Sequence, residues 1–353
     1  MPEPDGLPTP RYVLSRFAYL RHDGQSLVLE SSLTPARLPA SEGLLALLHR
    51  LSRPVSLAAL LDALPPASRE ATRNALDLLV EHGFLSPADG TEADDAPSLS
   101  TWEFHDLLFH ARTRHGRTSA PIGGTYRFGA EAPPEILTPP SPDRVPLPGH
   151  GRRGRMPLSE AFERRTSTRD YGGEPFSVAD LGALLSLAVR ETHSQGRRRR
   201  PYPSGGATYP TGLFVLVRTC EGLSPGAYRY QPADHALDPV AADAEDIETL
   251  IRDGARAAGA EALAPILLVV TARFARTAWK YESIAYSLVL KEVGALYQSL
   301  WLAGAALGIA VCGLGTGNAD AFAETLGLDY YRETSVGEVL IGPLPTGRTA
   351  PAS

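Results

Sequence analysis

The sequence predicts an α+β protein in two parts: a small winged-helix-like module, then a larger domain of layered helices and apolar strands. Three observations predict it. One hairpin signal and three capped helical stretches fall within residues 1–88. Seven prolines between Glu131 and His150 mark a stiff, extended connection. Beyond them, near-continuous apolar runs alternate with helical ones, the pattern of strands covered on both faces. The expected division is therefore a module over 1–88, a helix and proline-rich linker over 89–150, and the main domain over 151–353.

In the module, "FAYLRHDGQSLVLESS" is two apolar runs around Asp23-Gly24, a dipeptide that accepts the positive φ of a tight primed turn. Ser41, Ser56 and Ser68 then precede "EGLLALLHRL", "LAALLDAL" and "REATRNALDLLVEH" as expected N-caps, Gly83 stops the third helix, and "FLSP" returns as a strand. In the middle segment "WEFHDLLFHARTRHGR" reads as an amphipathic helix resting on the main domain. Its His105, His110 and His115 are five apart, about 140° around a helix, so no metal site is expected. In the main domain, helices are expected at "LSEAFERR", at "SVADLGALLSLAVRE" with a Ser177/Asp180 capping box, at "AEDIETLIRDGARAAG" and in a long run from Ser283. Strands are expected at "LFVLVRT", "PILLVVTA" and "VGEVLIG".

Composition excludes several classes. A net charge of −6 argues against nucleic acid as a partner, and Arg197 to Arg200 read as a solvated loop or an exit track for an acidic peptide. Cys220 and Cys312 form neither a CxxC nor a metal spacing, so reduced thiols in a cytoplasm are expected. The N-terminal MPEPDGLPTPRY has no basic and then apolar region, so it is not read as a signal peptide. From Val293 to Ala319 the chain runs 27 residues without charge or histidine, and Gly304 and Gly308 stand in a GxxxG frame. Gln298, Ser299, Thr316, Asn318 and three further glycines interrupt it, which favours a buried helix at the centre of a dimer over a membrane partner.

Four stretches carry candidate chemistry. "RRTSTRDY" sets Arg165, Ser167 and Arg169 on one side of an extended segment, a row suited to phosphate or a polyhydroxylated chain. In "PYPSGGATYP", Pro203 stiffens the approach and Gly205-Gly206 admits close backbone contact with something flat. "CGLGTGN" offers consecutive glycine amides but not the spacing of a dinucleotide fingerprint. In "TAWKYESIAY", Lys280 is one of only two lysines against 32 arginines. An amine can titrate and act as a base where a guanidinium cannot.

Taken in order, Arg165-x-Ser167-x-Arg169-x-Tyr171, Pro203-Ser204-Gly205-Gly206, Gly294-x-x-x-Gln298 and Gly313-Leu314-Gly315 resemble the flavin-binding elements of the nitroreductase superfamily. "PSGGATYP", "SPGAYRYQPADHAL" and Lys280-Tyr281 look like its SagB-type azoline dehydrogenases of microcin and cyanobactin pathways. The first module resembles, by element order, the precursor-peptide recognition fold of those pathways. The resemblance implies a central mixed sheet flanked by helices, a homodimer, and FMN at its interface. It implies that Arg165, Ser167 and Arg169 hold phosphate and ribityl oxygens, with Gly313, Leu314 and Gly315 near the flavin. Pro203, Ser204, Gly205 and Gly206 would face the isoalloxazine and Gln298 its polar edge.

The implied reaction oxidises thiazoline or oxazoline rings, in a peptide prepared by a cyclodehydratase partner, to thiazole or oxazole. Such a ring gives up a proton and a hydride from neighbouring carbons, and Lys280 or Tyr281 would take the proton. Free lysine and tyrosine have pKa values of about 10.4 and 10, so the site must tune whichever serves. Adjacent residues in a regular element point apart, so both can meet one substrate only where the chain is irregular. A generic NAD(P)H-dependent flavin nitro or quinone reductase, and a flavin-less scaffold that binds precursor peptide, stand as alternatives.

Overall fold

The computed structural model describes residues 11–87, 97–134, 139–172 and 174–345. They fall into two compact units that divide at Ile122 and Gly123.

In the first unit, β1 (Arg11–Leu14), β2 (Ala18–His22), β3 (Leu27–Ser31) and β4 (Arg37–Pro39) precede α1 (Glu42–Arg50), β5 (Val55–Ser56), α2 (Leu57–Asp62), α3 (Arg69–Glu81), β6 (Leu85–Pro87) and α4 (Phe104–Arg112). The expected hairpin is β2–β3, with His22 opposite Leu27. Asp23 closes it from outside the turn, its N–H donating to the Ser26 carbonyl, and Gly24 alone supplies the positive φ, at 102°. Ser41 and Ser56 cap α1 and α2 as expected, accepting from the Leu44 and Ala59 amides. Ser68 does not cap α3: a 3₁₀ turn over Pro66–Ser68 leads into the helix, and Ser68 is itself helical at φ −95°, ψ −10°.

Helix α4 is a correction. It belongs to the first unit and not to the main domain, because Arg112 donates to both Tyr19 and Glu30 on the hairpin, the latter at 2.9 Å. Around this, Leu29, Leu48, Leu51, Leu60, Leu76, Leu79 and Phe84 form one apolar core.

The second unit runs through β7 (Val145–Pro146), α5 (Leu158–Arg164), α6 (Val178–Ala188), β8 (Thr192–Ser194), β9 (Arg197–Arg199), β10 (Thr211–Val217), β11 (Gly226–Gln231), β12 (Ala236–Val240) and α7 (Ala244–Ala258). It continues with β13 (Ile266–Ala272), α8 (Phe274–Ala278), α9 (Ala285–Leu307), β14 (Ile309–Gly313), α10 (Ala319–Thr325) and β15 (Thr334–Pro343). Seven strands form one sheet in the order β14-β15-β13-β10-β11-β12-β7. Every pair in it is antiparallel, so the mixed sheet expected from the resemblance is not what the described residues form.

The apolar strands are buried on both faces because their side chains alternate. Leu213 and Val215 of β10 face a core with α6 and α9, whereas Phe214 and Leu216 face a second core with α7 and α10. The capping box at Ser177 and Asp180 starts α6, while Gly259 and Gly308, at φ 63° and 70°, stop α7 and α9. The uncharged run is therefore not one helix. It turns at Gly308 into β14, and the absent side chain at Gly304 lets α9 lie on Ile309 and Val311. Among the described residues no helix is long and apolar enough to cross a membrane. On the other face of α9, Tyr286 and Leu290 are exposed beside Lys291 and Gly294.

Candidate functional site

The loop between β9 and β10 is wound tightly at "SGGATY". Gly205–Ala207 form a 3₁₀ turn, and Gly206, Ala207 and Tyr209 all take positive φ, at 62°, 54° and 43°. Two of these are not glycine, so the turn stores strain and needs tethers. The Tyr209 amide donates to Ser204 Oγ at 2.9 Å, Thr208 Oγ1 donates to the Gly205 carbonyl at 2.9 Å, and Arg276 Nε donates to the Thr208 carbonyl at 2.9 Å. Ser204 also bonds the buried Glu292 of α9. Its hydroxyl is thus committed to the loop's own architecture, and what this turn can offer a ligand is the backbone of Gly205 and Gly206.

Opposite the turn, α8 ends and the chain leaves the helix: the Lys280 and Tyr281 amides both donate to Thr277 O, and Tyr281 then pairs with Gly124 in an isolated bridge. This is the irregular backbone that lets neighbouring side chains converge. Lys280 Nζ donates to the Gly206 carbonyl at 3.1 Å and lies 5.6 Å from the Tyr281 ring centroid. A Cβ added to Gly206 would press on Tyr281 Oη and sit 2.8 Å from Lys280 Nζ. Among the described residues the Tyr281 hydroxyl makes no hydrogen bond of its own.

A strap from Gly123 to Pro133 borders the pair. The Thr125 amide donates to the Lys280 carbonyl at 2.8 Å, Trp279 Nε1 donates to the Gly129 carbonyl at 2.7 Å, and Arg276 donates to the Pro133 carbonyl. Tyr126, at φ 52°, stands edge-on to Trp279 at 5.1 Å, and Lys280 Nζ lies 6.0 Å from its ring.

The arginine row is extended as expected, beginning where Arg165 ends α5 at ψ 120° and fixed midway by the Thr168 amide donating to Val311 O at 3.1 Å. Thr166 and Thr168 face a cavity of about 610 Å³ beside Trp301 and the end of α9, while Ser167 and Arg169 face a separate surface cleft of about 530 Å³. The Arg165 guanidinium lies 5.7 Å from the Trp301 ring centroid. Neither Arg165 nor Arg169 is ion-paired among the described residues.

Within one protomer the predicted residues fall into two groups. Gly205 packs on Leu288, near the start of α9, whereas Arg165 and Gly313 gather at Trp301, thirteen residues further along. At 1.5 Å per residue that is about 20 Å. Gln298 lies on α9 between Leu288 and Trp301, half-buried, and Pro203 is exposed. Two of the three predicted glycine-run residues have structural occupations. Gly313 lies beneath Tyr297 and Trp301, where a Cβ would come within 2.9 Å and 3.1 Å, and Leu314 is buried in the second core. Only Gly315 is open to solvent. Nor are Arg197 to Arg200 a plain solvated loop. Arg197 to Arg199 form β9 of a two-stranded hairpin, and the Arg200 side chain just beyond it, 2% exposed, pairs with Glu191 at 3.2 Å.

Residues 162–342 match the model of the nitroreductase family. The chain belongs to that family. This nitroreductase-family chain also matches, over residues 12–119, the model described as cyanobactin oxidase ThcOx. Both parts of the resemblance drawn from the sequence are borne out. A protein of Methanocaldococcus jannaschii named as a nitroreductase is 29% identical over 174 residues, covering 49% of this chain and 86% of that protein. The microcin B17-processing protein McbC of Escherichia coli is 31% identical over 139 residues, covering 38% of this chain and half of McbC. Among solved structures, a Ralstonia eutropha protein named as a nitroreductase has a TM-score of 0.47 at 22% identity, over 61% of this chain and 98% of that one. The E. coli microcin synthetase McbBCD complex with truncated pro-MccB17 bound has a TM-score of 0.45 at 23% identity, over 67% of this chain and 91% of that one.

For this nitroreductase-family chain, sequence reasoning missed Glu292 and Tyr126. Glu292 is a lone acid in the apolar stretch of α9 and is 3% exposed. It accepts from Thr211 Oγ1 at 2.6 Å, and burial pushes its carboxyl above the ordinary range. An acid inside an apolar helical run was the available signal. For Tyr126 the signal was weaker: a Gly-Gly step before an aromatic.

Proposed function

We propose that the protein is an FMN-dependent dehydrogenase that oxidises azoline rings in a ribosomally made peptide, and that it works as a homodimer built on α9. The observation that carries this reading is the convergence of Lys280 and Tyr281 on the Gly206 backbone. The cyanobactin-oxidase match of the first unit and the likeness to McbC support a peptide substrate over a small nitroaromatic.

The two groups of site residues support the dimer. They sit toward opposite ends of one helix whose outer face exposes Tyr286 and Leu290 beside Lys291. Midway between Leu288 and Trp301 lies Gly294, exposed and with nothing within 4 Å of an added Cβ. A two-fold axis crossing α9 there brings the Arg165 end of one protomer to the Lys280 end of the other. An isologous contact of this kind completes two identical sites at once.

The residues fit FMN. Arg165 and Arg169, neither ion-paired among the described residues, and the Ser167 hydroxyl suit a phosphate and its polyhydroxylated chain, although Ser167 and Arg169 share their cleft with Asp170 and Glu261 and Arg165 stands by Trp301 outside it; the Gly205-Gly206 backbone suits the approach of a planar ring. FMN, when bound, supplies the hydride acceptor. The chain's own task is the proton. Lys280 Nζ already donates to Gly206 O, which holds it in a fixed position. Tyr281 Oη is the free atom of the pair, so we assign it, acting as the phenolate, to take the ring proton, while Lys280 holds and polarises. The strap shields the pair from one side. An azoline arises by dehydrating a peptide amide onto a neighbouring thiol or hydroxyl, so a cyclodehydratase supplies the substrate.

The test is to purify the full chain, record bound-flavin absorbance, and follow an azoline peptide by mass for the loss of two hydrogens per ring. A flavin-loaded protein that leaves every azoline peptide unchanged while reducing nitroaromatics overturns the reading.

A further inference from the structure

Beneath the "PSGGATYP" turn, away from the surfaces assigned above, lies an internal cavity of about 20 Å³. Its lining includes three arginines, Arg200, Arg229 and Arg273, with Tyr202, Thr211 and Leu296. All six are buried or nearly so, Arg273 being 4% exposed. Two of the arginines have acids of their own. Arg200 pairs with Glu191 at 3.2 Å, and Arg229 pairs with Glu333 Oε2 at 2.9 Å. Among the described residues Arg273 has none: its Nε and Nη1 are buried and make no hydrogen bond.

Nearby acids are already engaged. Glu333 Oε1 accepts from Thr271 at 2.7 Å, and Glu292 Oε1 accepts from Thr211 at 2.6 Å. Burial drags the Arg273 pKa down, but only to about 10, so the guanidinium is charged at neutral pH. A buried charge without a partner is costly. Something must answer it.

We propose that this cavity is a binding site for a monatomic anion of the halide class, held by Arg273 Nε and Nη1. The space suits it: a cavity of this size holds about one water-sized body, which excludes phosphate and sulfate. A water would satisfy the N–H donors and leave the charge unanswered, whereas chloride does both. The anion also has a structural place. Arg273 is the residue from which α8 starts, and α8 leads directly to Lys280 and Tyr281, so the ion fixes the root of that segment.

The direct test uses the unaltered full chain. Crystals soaked in sodium bromide should show a bromine anomalous peak in the cavity at the Arg273 guanidinium. In solution, thermal unfolding is compared in sodium chloride and in sodium gluconate at equal ionic strength, gluconate being too large to enter. Chloride at a hundredfold excess over its Kd should raise Tm by about 5–10 °C, and Arg273→Met should abolish that difference. A cavity that holds water alone, bromide confined to the molecular surface, or a Tm indifferent to chloride overturns the proposal, and the crystal result stands even if the variant does not fold.

Discussion

Replacing Gly206 with alanine tests how the reactive pair is held. The residue sits at φ 62°, a conformation that disfavours L side chains by about 1–2 kcal/mol. The new Cβ would also stand 2.8 Å from Lys280 Nζ and closer still to Tyr281 Oη, where such contacts settle at about 3.5–4.0 Å. Both polar ends must therefore retreat by about 1 Å. Stability should fall by those 1–2 kcal/mol, which for the second unit is a Tm loss of about 2–8 °C. Activity should suffer far more, because a displacement of about 1 Å in a positioned group can lower turnover about a hundredfold. The assay measures azoline oxidation by mass and flavin content by absorbance on the same preparation. Turnover should collapse while the yellow colour and most of the stability persist. A Gly206→Ala protein with parental turnover would refute the claim that Gly206 seats the pair.

Four further outcomes follow from the same geometry. Tyr281→Phe should lower turnover by about 10²–10⁴-fold with flavin retained, the range expected for loss of a general base, and loss of colour together with activity would mark the residue as structural. Arg165→Ala and Arg169→Ala should each weaken flavin binding by about tenfold to a hundredfold in a fluorescence titration, since a hydrogen bond to a charged group contributes about 1.5–3 kcal/mol; unchanged affinity in both would remove the row from the site. Leu290→Glu, on the exposed face of α9, should shift the protein from dimer to monomer in sedimentation, and a persistent dimer would place the interface elsewhere. Glu292→Gln addresses pH. Burial holds the Glu292 proton to higher pH in the folded protein than in the unfolded chain, so unfolding releases it and stability falls as pH climbs from 4.5 toward the raised folded value. The Tm of the variant relative to the parent should therefore rise over that interval, and a pH-independent difference would contradict the assigned cause.

Much of the fold was legible because local chemistry and packing agreed. Ser41, Ser56 and the Ser177/Asp180 box cap their helices as read, and each apolar strand of the reading appears in the sheet. Two of the misreadings share a cause, a local signal outvoted by a partner distant in sequence, whereas the one at Ser68 is local. Ser68 lost its cap to a 3₁₀ turn begun by Pro66, and α4 joined the first unit through Arg112 and Glu30. The end of the uncharged run became a strand because β15 was there to pair with it.

The candidate site divides the same way. The sequence by itself determined which residue types were present for the chemistry: an amine and a phenol side by side, glycines to admit close approach, and arginines without obvious partners. It could state that Lys280 and Tyr281 must lie on irregular backbone to act together. Only tertiary structure decided that they do, because the bond from Lys280 to Gly206 and the bridge from Tyr281 to Gly124 each join segments more than seventy residues apart. It also decided that Ser204 braces its own loop, that Gly313 makes room for two aromatic rings, and that Arg273 is buried without an acid. Spacing and side-chain chemistry are properties of a short stretch of chain. Burial and the satisfaction of a charge belong to everything that packs around it.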